Sequence, residues 1–385
     1  MKKRVWLKLI VIFFIAIILF RIVRQRAVGE ENTSSYERIT IIGETSNKGV
    51  FDPAVEYNQD GSVGWLVYSG LEQPPGRIKS HFPKYIHTHL AKTTDHGRTW
   101  VFIKRLNESE EDTISLKGKE LKGSWRHEVP TLVYDPDDIG KEWKLFWHKY
   151  FSARTKGKLK PRRILEHMWI MYKSASTPEE LDSAQEIKLF STKLPLIKAK
   201  YNLNEITGFK NFRYYSEPGS LYKDGTLYLS LDGGTMEPKA HIQILLSSGD
   251  HGKTWTYVNK LTDNQDMVGL PCPELTICPA LLASSLVEVE GRIFMLASRA
   301  TSRGHRGTFV FEFEDILKGK LKRNSEGKLV VFKFLPPSIV LPRGNAGESD
   351  YDEYNTYGGI IIPQADPDSA PAIAQIFNTK EGVLE

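Results

Sequence analysis

From residue 36 onward the chain repeats one phrase: an acidic or polar residue, a proline, an apolar stretch, a turn, and a second apolar stretch. It reads FDPAVEYNQDGSVGWLVYS at 51–69, HEVPTLVYDPDDIGKEWKLFWHKY at 127–150, SEPGSLYKDGTLYLSLD at 216–232 and CPALLASSLVEVEGRIFMLAS at 278–298. A weaker fifth copy is DEYNTYGGIIIPQADPDSAPAIAQIF at 352–377. Each pair of stretches is followed by another two-strand unit, as in YIHTHLAKTTDHGRTWVFI at 85–103 and HIQILLSSGDHGKTWTYV at 241–258. Short β-branched and aromatic runs set off by Asp, Gly and Pro read as strands, and no long segment keeps the helical period. Two hairpins per unit and five units predict an all-β chain, a β-propeller of five blades, with six as the alternative count. The stretch ERITII at 37–42 is expected to complete the last blade and close the ring, and 74–84 and 151–166 are read as inserted loops.

The first 26 residues are of another kind. They hold an unbroken apolar run at 9–20, extended by flanking residues to 5–23, with Lys8 and Arg21 able to reach the interfaces. A cleaved signal peptide and an uncleaved signal anchor both fit such a stretch. The only small-residue cleavage candidate, Ala27-Val28-Gly29, follows three arginines, which favours the uncleaved anchor. The expected organisation is a membrane anchor at 1–26, a linker at 27–35 and a propeller at 36–385, a single-pass protein with the propeller on the extracytoplasmic side. Residues 1–26 also carry seven basic residues and no acid, so the formal +5 of the whole chain leaves −2 on residues 27–385. The folded part therefore makes no electrostatic case for nucleic acid. Cys272 and Cys278, six apart, could close a small disulfide loop in an exported protein. No metal site and no cofactor are expected.

The sharpest local signature is Thr93-x-Asp95-x-Gly97-x-Thr99-Trp100, repeated as Ser248-x-Asp250-x-Gly252-x-Thr254-Trp255. It resembles the Asp-box repeat of the sialidase-like propellers. Its chemistry suits a tight turn: Asp bonds the backbone, Gly takes a positive φ, and Trp packs between sheets. The resemblance implies that these boxes are structural, joining strands three and four on the face away from the active site. Chemistry then belongs to the other face, where first strands begin and second strands end. That places Asp52, Arg126, His127, Glu128, Glu217, Asp352 and Glu353 before first strands, and Glu72, His148, Tyr150, Asp232 and Arg299 after second strands.

The same segments resemble the five-bladed arabinanase and β-xylosidase type of glycoside hydrolase. That resemblance implies Asp52 as general base, Glu217 as general acid and Glu128 as the residue tuning the acid. Two carboxyl groups across one sugar are what glycosidic cleavage requires, and burial with neighbouring acids is expected to raise Glu217. The implied function is hydrolysis of an extracytoplasmic carbohydrate, with Arg126, His127, His148, Asp232, Arg299 and Tyr354 contacting substrate. A sialidase of the same fold clamps a carboxylated sugar with three arginines. Here the first of these is replaced in Phe51-Asp52-Pro53, and Leu231-Asp232 stands where another would lie. A sialidase-like hydrolase of another acidic sugar would need a rearranged clamp from Arg126, Arg299, Arg303 or Arg343, with Tyr351, Tyr354 or Tyr357 as nucleophile. A non-catalytic propeller that binds a glycan or a protein is the third reading.

Overall fold

Strands in this chain are apolar on both faces, because each sheet has a neighbour on either side. Along Gly64–Glu72, Trp65 and Val67 pack toward one neighbouring sheet while Leu66 and Tyr68 pack toward the other. Leu245 and its neighbours Ile244 and Leu246 divide in the same way in Lys239–Ser248. Strict alternation with both faces buried is the signature of a sheet sandwiched edge-on in a ring. The structure, a computed structural model, describes residues 36–73, 85–154, 162–195, 197–236, 239–270, 280–301, 304–336, 347–354, 359–364, 375–379 and 384.

Five sheets form five blades. Blade one runs outward from Val50–Tyr57 through Gly64–Glu72 and Tyr85–Thr93 to Trp100–Asn107. Blade two runs from Lys119–Tyr134 through Trp143–Ala153, Arg162–Ala175 and Ile187–Ser191 to the short Tyr201–Asn202. Blade three is Phe212–Lys223, Thr226–Met236, Lys239–Ser248 and Thr256–Asp263. Blade four is Ala280–Val289, Arg292–Thr301 and Gly304–Asp315, with Lys320–Leu321 and Lys333–Leu335 against its outer edge. Blade five is Asp350–Tyr351, Ile360–Gln364 and Gln375–Thr379, completed by Tyr36–Arg38 from the start of the described chain. Five apolar clusters lie between consecutive blades and account for the ring.

Closure by the N-terminal strand agrees with the sequence, with one refinement. ERITII divides: Tyr36–Arg38 pairs with blade five, and Ile41–Ile42 crosses to pair in parallel with Trp100 and Val101 of blade one. The ring is thus stitched across its seam by one short segment serving two blades. Two expectations shift. Blade five begins at Asp350, not at 352, so Asp352 and Glu353 follow its inner strand. Part of the 151–166 insertion is ladder, since Trp143–Ala153 and Arg162–Ala175 pair beyond the blade, and Glu111–Leu116 adds a hairpin to the start of Lys119–Tyr134.

Both Asp/Gly/Trp motifs fold as the turn between third and fourth strands. Thr99 N donates to Asp95 Oδ1 at 2.9 Å and Thr254 N to Asp250 Oδ1 at 2.7 Å, while Gly97 and Gly252 donate to the Thr93 and Ser248 hydroxyls. These bonds hold both carboxyls low, Asp250 to about 2, despite some burial. Positive φ falls on two successive residues, His96 with Gly97 and His251 with Gly252. Trp100 is buried between blades one and five, and Trp255 between blades two and three, edge-on to Phe146 and Phe190. His251 also reaches Asp135 of blade two at 3.1 Å, where Asp135 and Asp138 enclose the wholly buried Lys144 ammonium at 3.1 and 2.7 Å.

Among the described residues no helix is long and apolar enough to cross a membrane. The apolar stretch at 5–23 lies outside the described residues, as do Cys272 and Cys278.

Candidate active site

Inner strands one to four carry a bulge at the same level. The pairing skips between Phe51 and Ala54, Glu128 and Thr131, Ser216 and Gly219, and Leu282 and Ser285. The first skipped residue has left-handed backbone in each: Asp52 at φ 50°, Val129 at 53°, Glu217 at 55° and Ala283 at 52°. In three of them the next residue is Pro53, Pro130 or Pro218, which has no N–H to leave unpaired in a bulge. Left-handed backbone at a non-glycine residue costs about 1 kcal/mol or more, and a bulge re-aims the side chain it carries. Opposite the residue before each bulge stand Ser69, His148, Asp232 and Ser298, all fully buried. Asp52 and Glu217 therefore occupy equivalent positions in blades one and three. The equivalent residue in blade two is Val129, with Glu128 one place earlier.

The two carboxyls have different surroundings. Asp52 Oδ2 accepts from Ser69 Oγ at 2.9 Å, and Ser69 Oγ in turn accepts from Val129 N at 3.0 Å. Glu348 N lies 3.4 Å from Asp52 Oδ1. Burial, then the charges of Glu128 and Glu217, push Asp52 up to about 8. Glu217 Oε2 accepts the Ala283 N–H at 2.6 Å, and its other oxygen is 3.9 Å from His305 Nε2. Burial, then the charge of Glu217, also raises Asp232 in blade three.

Between them runs a polar chain. Arg163 Nη2 donates to Glu128 Oε1 at 2.9 Å and Nη1 to the Tyr214 hydroxyl at 3.1 Å, while its guanidinium lies 4.3 Å from the Tyr150 ring centre. Ser216 Oγ continues the chain to the Tyr214 hydroxyl at 2.9 Å and to Asp232 Oδ2 at 3.2 Å. His148 Nδ1 is 4.0 Å from Glu128, beyond hydrogen-bond reach, and burial, then Arg163, holds it below the usual histidine range. Asp52, Glu128, Glu217, Asp232 and His148 are thus brought together around the bulges of blades one to three.

Four expected contact residues have other places. Arg126 is buried and bonds to Tyr150, its cross-strand partner. His127 points to the opposite side of its strand, where Trp147 Nε1 donates to its Nδ1 at 3.1 Å, so it is an interior residue between blades one and two. Arg299 holds the carbonyls of Leu270 and Met267 at 2.7 and 3.2 Å and ties down the loop after blade three. Tyr354 stacks on Tyr57 and His96, next to Gly61, beside the turns that close blade one's hairpins. That is the far end of the channel, because the inner strand was expected to begin too late. Arg303, Arg343 and Tyr357 lie outside the described residues.

The far end holds a cavity of about 330 Å³ between the ends of the five inner strands, lined among others by Glu56, Tyr134, Tyr222, Glu288 and Asp350. Burial raises Glu56 and brings Asp350 up to about 7. Among the described residues no acid, histidine or cysteine group is arranged to hold a metal ion.

Ser69, Arg163, Tyr214, His305 and Glu348 were not foreseen. Ser69 was findable, since it stands where His148 and Asp232 stand in the next two blades. Arg163 sits in a basic stretch that composition alone assigns to solvent, and Glu348 precedes a strand whose start was misplaced.

No family model matches the chain, and no curated protein matches it. Solved structures to which it is similar include an exo-β-1,3-galactanase from Phanerochaete chrysosporium, at 10% identity and TM-score 0.48 over 89% of this chain and 62% of that one. Another is the Trypanosoma rangeli sialidase, at 12% and 0.46 over 90% and 58%. A third is the catalytic domain of a Coprinopsis cinerea α-L-arabinofuranosidase, at 9% and 0.48 over 90% and 97%. The chain spans less than two thirds of the galactanase and of the sialidase. Likeness this distant does not choose an activity.

Proposed function

We propose that the chain is a glycoside hydrolase that works on carbohydrate outside the cytoplasm, held at the membrane by residues 1–26, with Asp52 and Glu217 as its working pair. The observation that carries the reading is the pair of carboxyls on equivalent left-handed bulges of blades one and three, the first bonded to Ser69 and raised by burial, the second bonded to the Ala283 N–H. Glycosidic cleavage needs two carboxyl groups in one site, and a carboxyl raised by burial can serve as the acid of the pair. Asp52, which keeps its proton to about pH 8, gives it to the departing glycosidic oxygen. Glu217 acts from the opposite side, either on the anomeric carbon or on a water that attacks it. Arg163 neutralises Glu128 beside them and orients Tyr214. These roles are the reverse of those implied by the arabinanase resemblance. Extracytoplasmic placement and the anchor rest on the apolar stretch at 5–23 and its basic flanks.

The test is release of reducing sugar from an arrayed glycan panel by the full chain, beside Asp52→Asn and Glu217→Gln. The reading expects cleavage of a glycosidic linkage, lost by about 10³-fold or more in both variants. Cleavage that survives both substitutions removes the pair. Tight binding of one glycan with no cleavage anywhere would make the protein a recognition module.

A further inference from the structure

Residues 347–349 form a strap clamped on both sides. The Gly347 carbonyl accepts from Ser298 Oγ, the Ser349 carbonyl accepts from Ser285 Oγ, and Ser349 Oγ lies 2.8 Å from Thr308 Oγ1. All three partners belong to blade four. On the other side a Cβ at Gly347 would come within 2.3 Å of the Phe51 ring and 2.7 Å of Asp52 Oδ1, so the backbone lies flush against blade one. The residue in the middle of the strap is Glu348, fully buried, and neither of its carboxyl oxygens has a hydrogen-bond partner among the described residues.

A rigidly held, buried carboxyl with both oxygens unbonded costs several kcal/mol unless something satisfies it. Burial, then Asp52, Asp350 and Glu217, raises Glu348, so its carboxyl shares the space of the working pair. Other buried atoms without a hydrogen-bond partner among the described residues belong to the same cluster of bulges: Asp232 Oδ1 and both ring nitrogens of His148. They call for a ligand rich in hydroxyl groups, each of which both donates and accepts.

Resting on the hydrolase reading above, we propose that Glu348 is the residue that grips two neighbouring hydroxyls of a neutral sugar, and that the site selects neutral over acidic sugars. As a carboxylate it accepts from both hydroxyls; as an acid it donates to one and accepts from the other. A carboxylated sugar would bring its charge out of water into a space shared by the carboxyls of Asp52, Glu128, Glu217, Asp232 and Glu348, where burial already disfavours charge on Asp52, Asp232 and Glu348. Among the described residues Arg163 is engaged with Glu128 and Arg126 with Tyr150.

The experiment is calorimetric titration of the full chain with the methyl glycosides of galactose, xylose and arabinose, and with methyl galacturonide and N-acetylneuraminic acid. Glu348→Ala and Glu348→Gln are titrated in parallel, and their thermal midpoints are measured without sugar. At least one neutral glycoside is expected to bind more tightly than either acid. Glu348→Ala should weaken it roughly ten-fold or more, the loss of two hydrogen bonds to an ionisable group, and Glu348→Gln less. The Gln variant without sugar should melt no lower than wild type, because an unsatisfied acid has been removed. The inference is overturned by wild-type affinity in Glu348→Ala, by tighter binding of an acid sugar, by a lower midpoint for Glu348→Gln, or by no neutral glycoside binding at about 10 mM. A neutral glycoside that binds through Glu348 without being cleaved supports it and removes the hydrolase reading instead.

Discussion

Asp52→Asn should make the protein more stable at alkaline pH while disabling it. In the folded chain burial, Glu128 and Glu217 lift Asp52 from its ordinary 3.8 to about 8. The folded state therefore holds this proton after the unfolded chain has released it. Stability from this group is fully present below about pH 4 and drains away as pH rises to about 8. At about 1.4 kcal/mol per pH unit over that interval, the ceiling on the loss is about 6 kcal/mol. Water entering the site and release of strain among the neighbouring acids bring the expected effect to about 2–4 kcal/mol. Asparagine tolerates left-handed backbone and can still accept from Ser69. Urea unfolding of the full chain at pH 5, 7 and 9 measures the difference. The variant should gain on wild type at each step, with the largest gap at pH 9. A gap that stays flat or narrows with pH would mean that Asp52 is not a proton-holding group, and the role assigned to it would fall with it.

Ser69→Ala removes a side-chain donor to Asp52 and strands the Val129 N–H; it should cost about 1–3 kcal/mol and move the alkaline edge of activity to higher pH, and an edge moving down would contradict the assignment. Lys144→Met leaves Asp135 buried without its ammonium, with His251 and the Asp137 N–H remaining, so a loss of about 3–5 kcal/mol at pH 7 is expected in urea titration; a neutral effect would show that water reaches the pair. Trp255→Ala opens a hole between blades two and three and should cost about 3–5 kcal/mol, with glycan cleavage per folded molecule unchanged.

The architecture was legible because a propeller writes the same instruction several times. Asp-Pro, Val-Pro and Glu-Pro at matching places mark the bulge in three of the four blades that carry it, and the two Asp/Gly/Trp turns mark where third strands end. The fifth blade was misjudged because Asp350–Tyr351 is only two residues long, too short to show alternation, and its neighbour Asp352 mimics the acid that opens other blades. That slip sent Tyr354 to the wrong end of the channel and hid Glu348. His127 and Arg299 were misread for a different reason. Their residue types suggest chemistry, but strand alternation turns His127 toward Trp147, and Arg299 is occupied by two carbonyls of a loop distant in sequence. Proton preference was the least legible feature. It depends on how several acids from blades one, two, three and five are buried against each other, and no local pattern encodes that sum.

The central claim, that Asp52 supplies the proton and Glu217 acts opposite it, is tested most directly by varying the leaving group. Once a cleaved glycoside is known, its methyl and dinitrophenyl forms are compared with wild type, Asp52→Asn and Glu217→Gln. Dinitrophenolate departs without protonation, so loss of a general acid matters little for that substrate. The account predicts that Asp52→Asn recovers most of its lost rate on the dinitrophenyl glycoside while Glu217→Gln stays impaired on both. Recovery by Glu217→Gln, with Asp52→Asn impaired on both, would contradict it and return the acid to blade three.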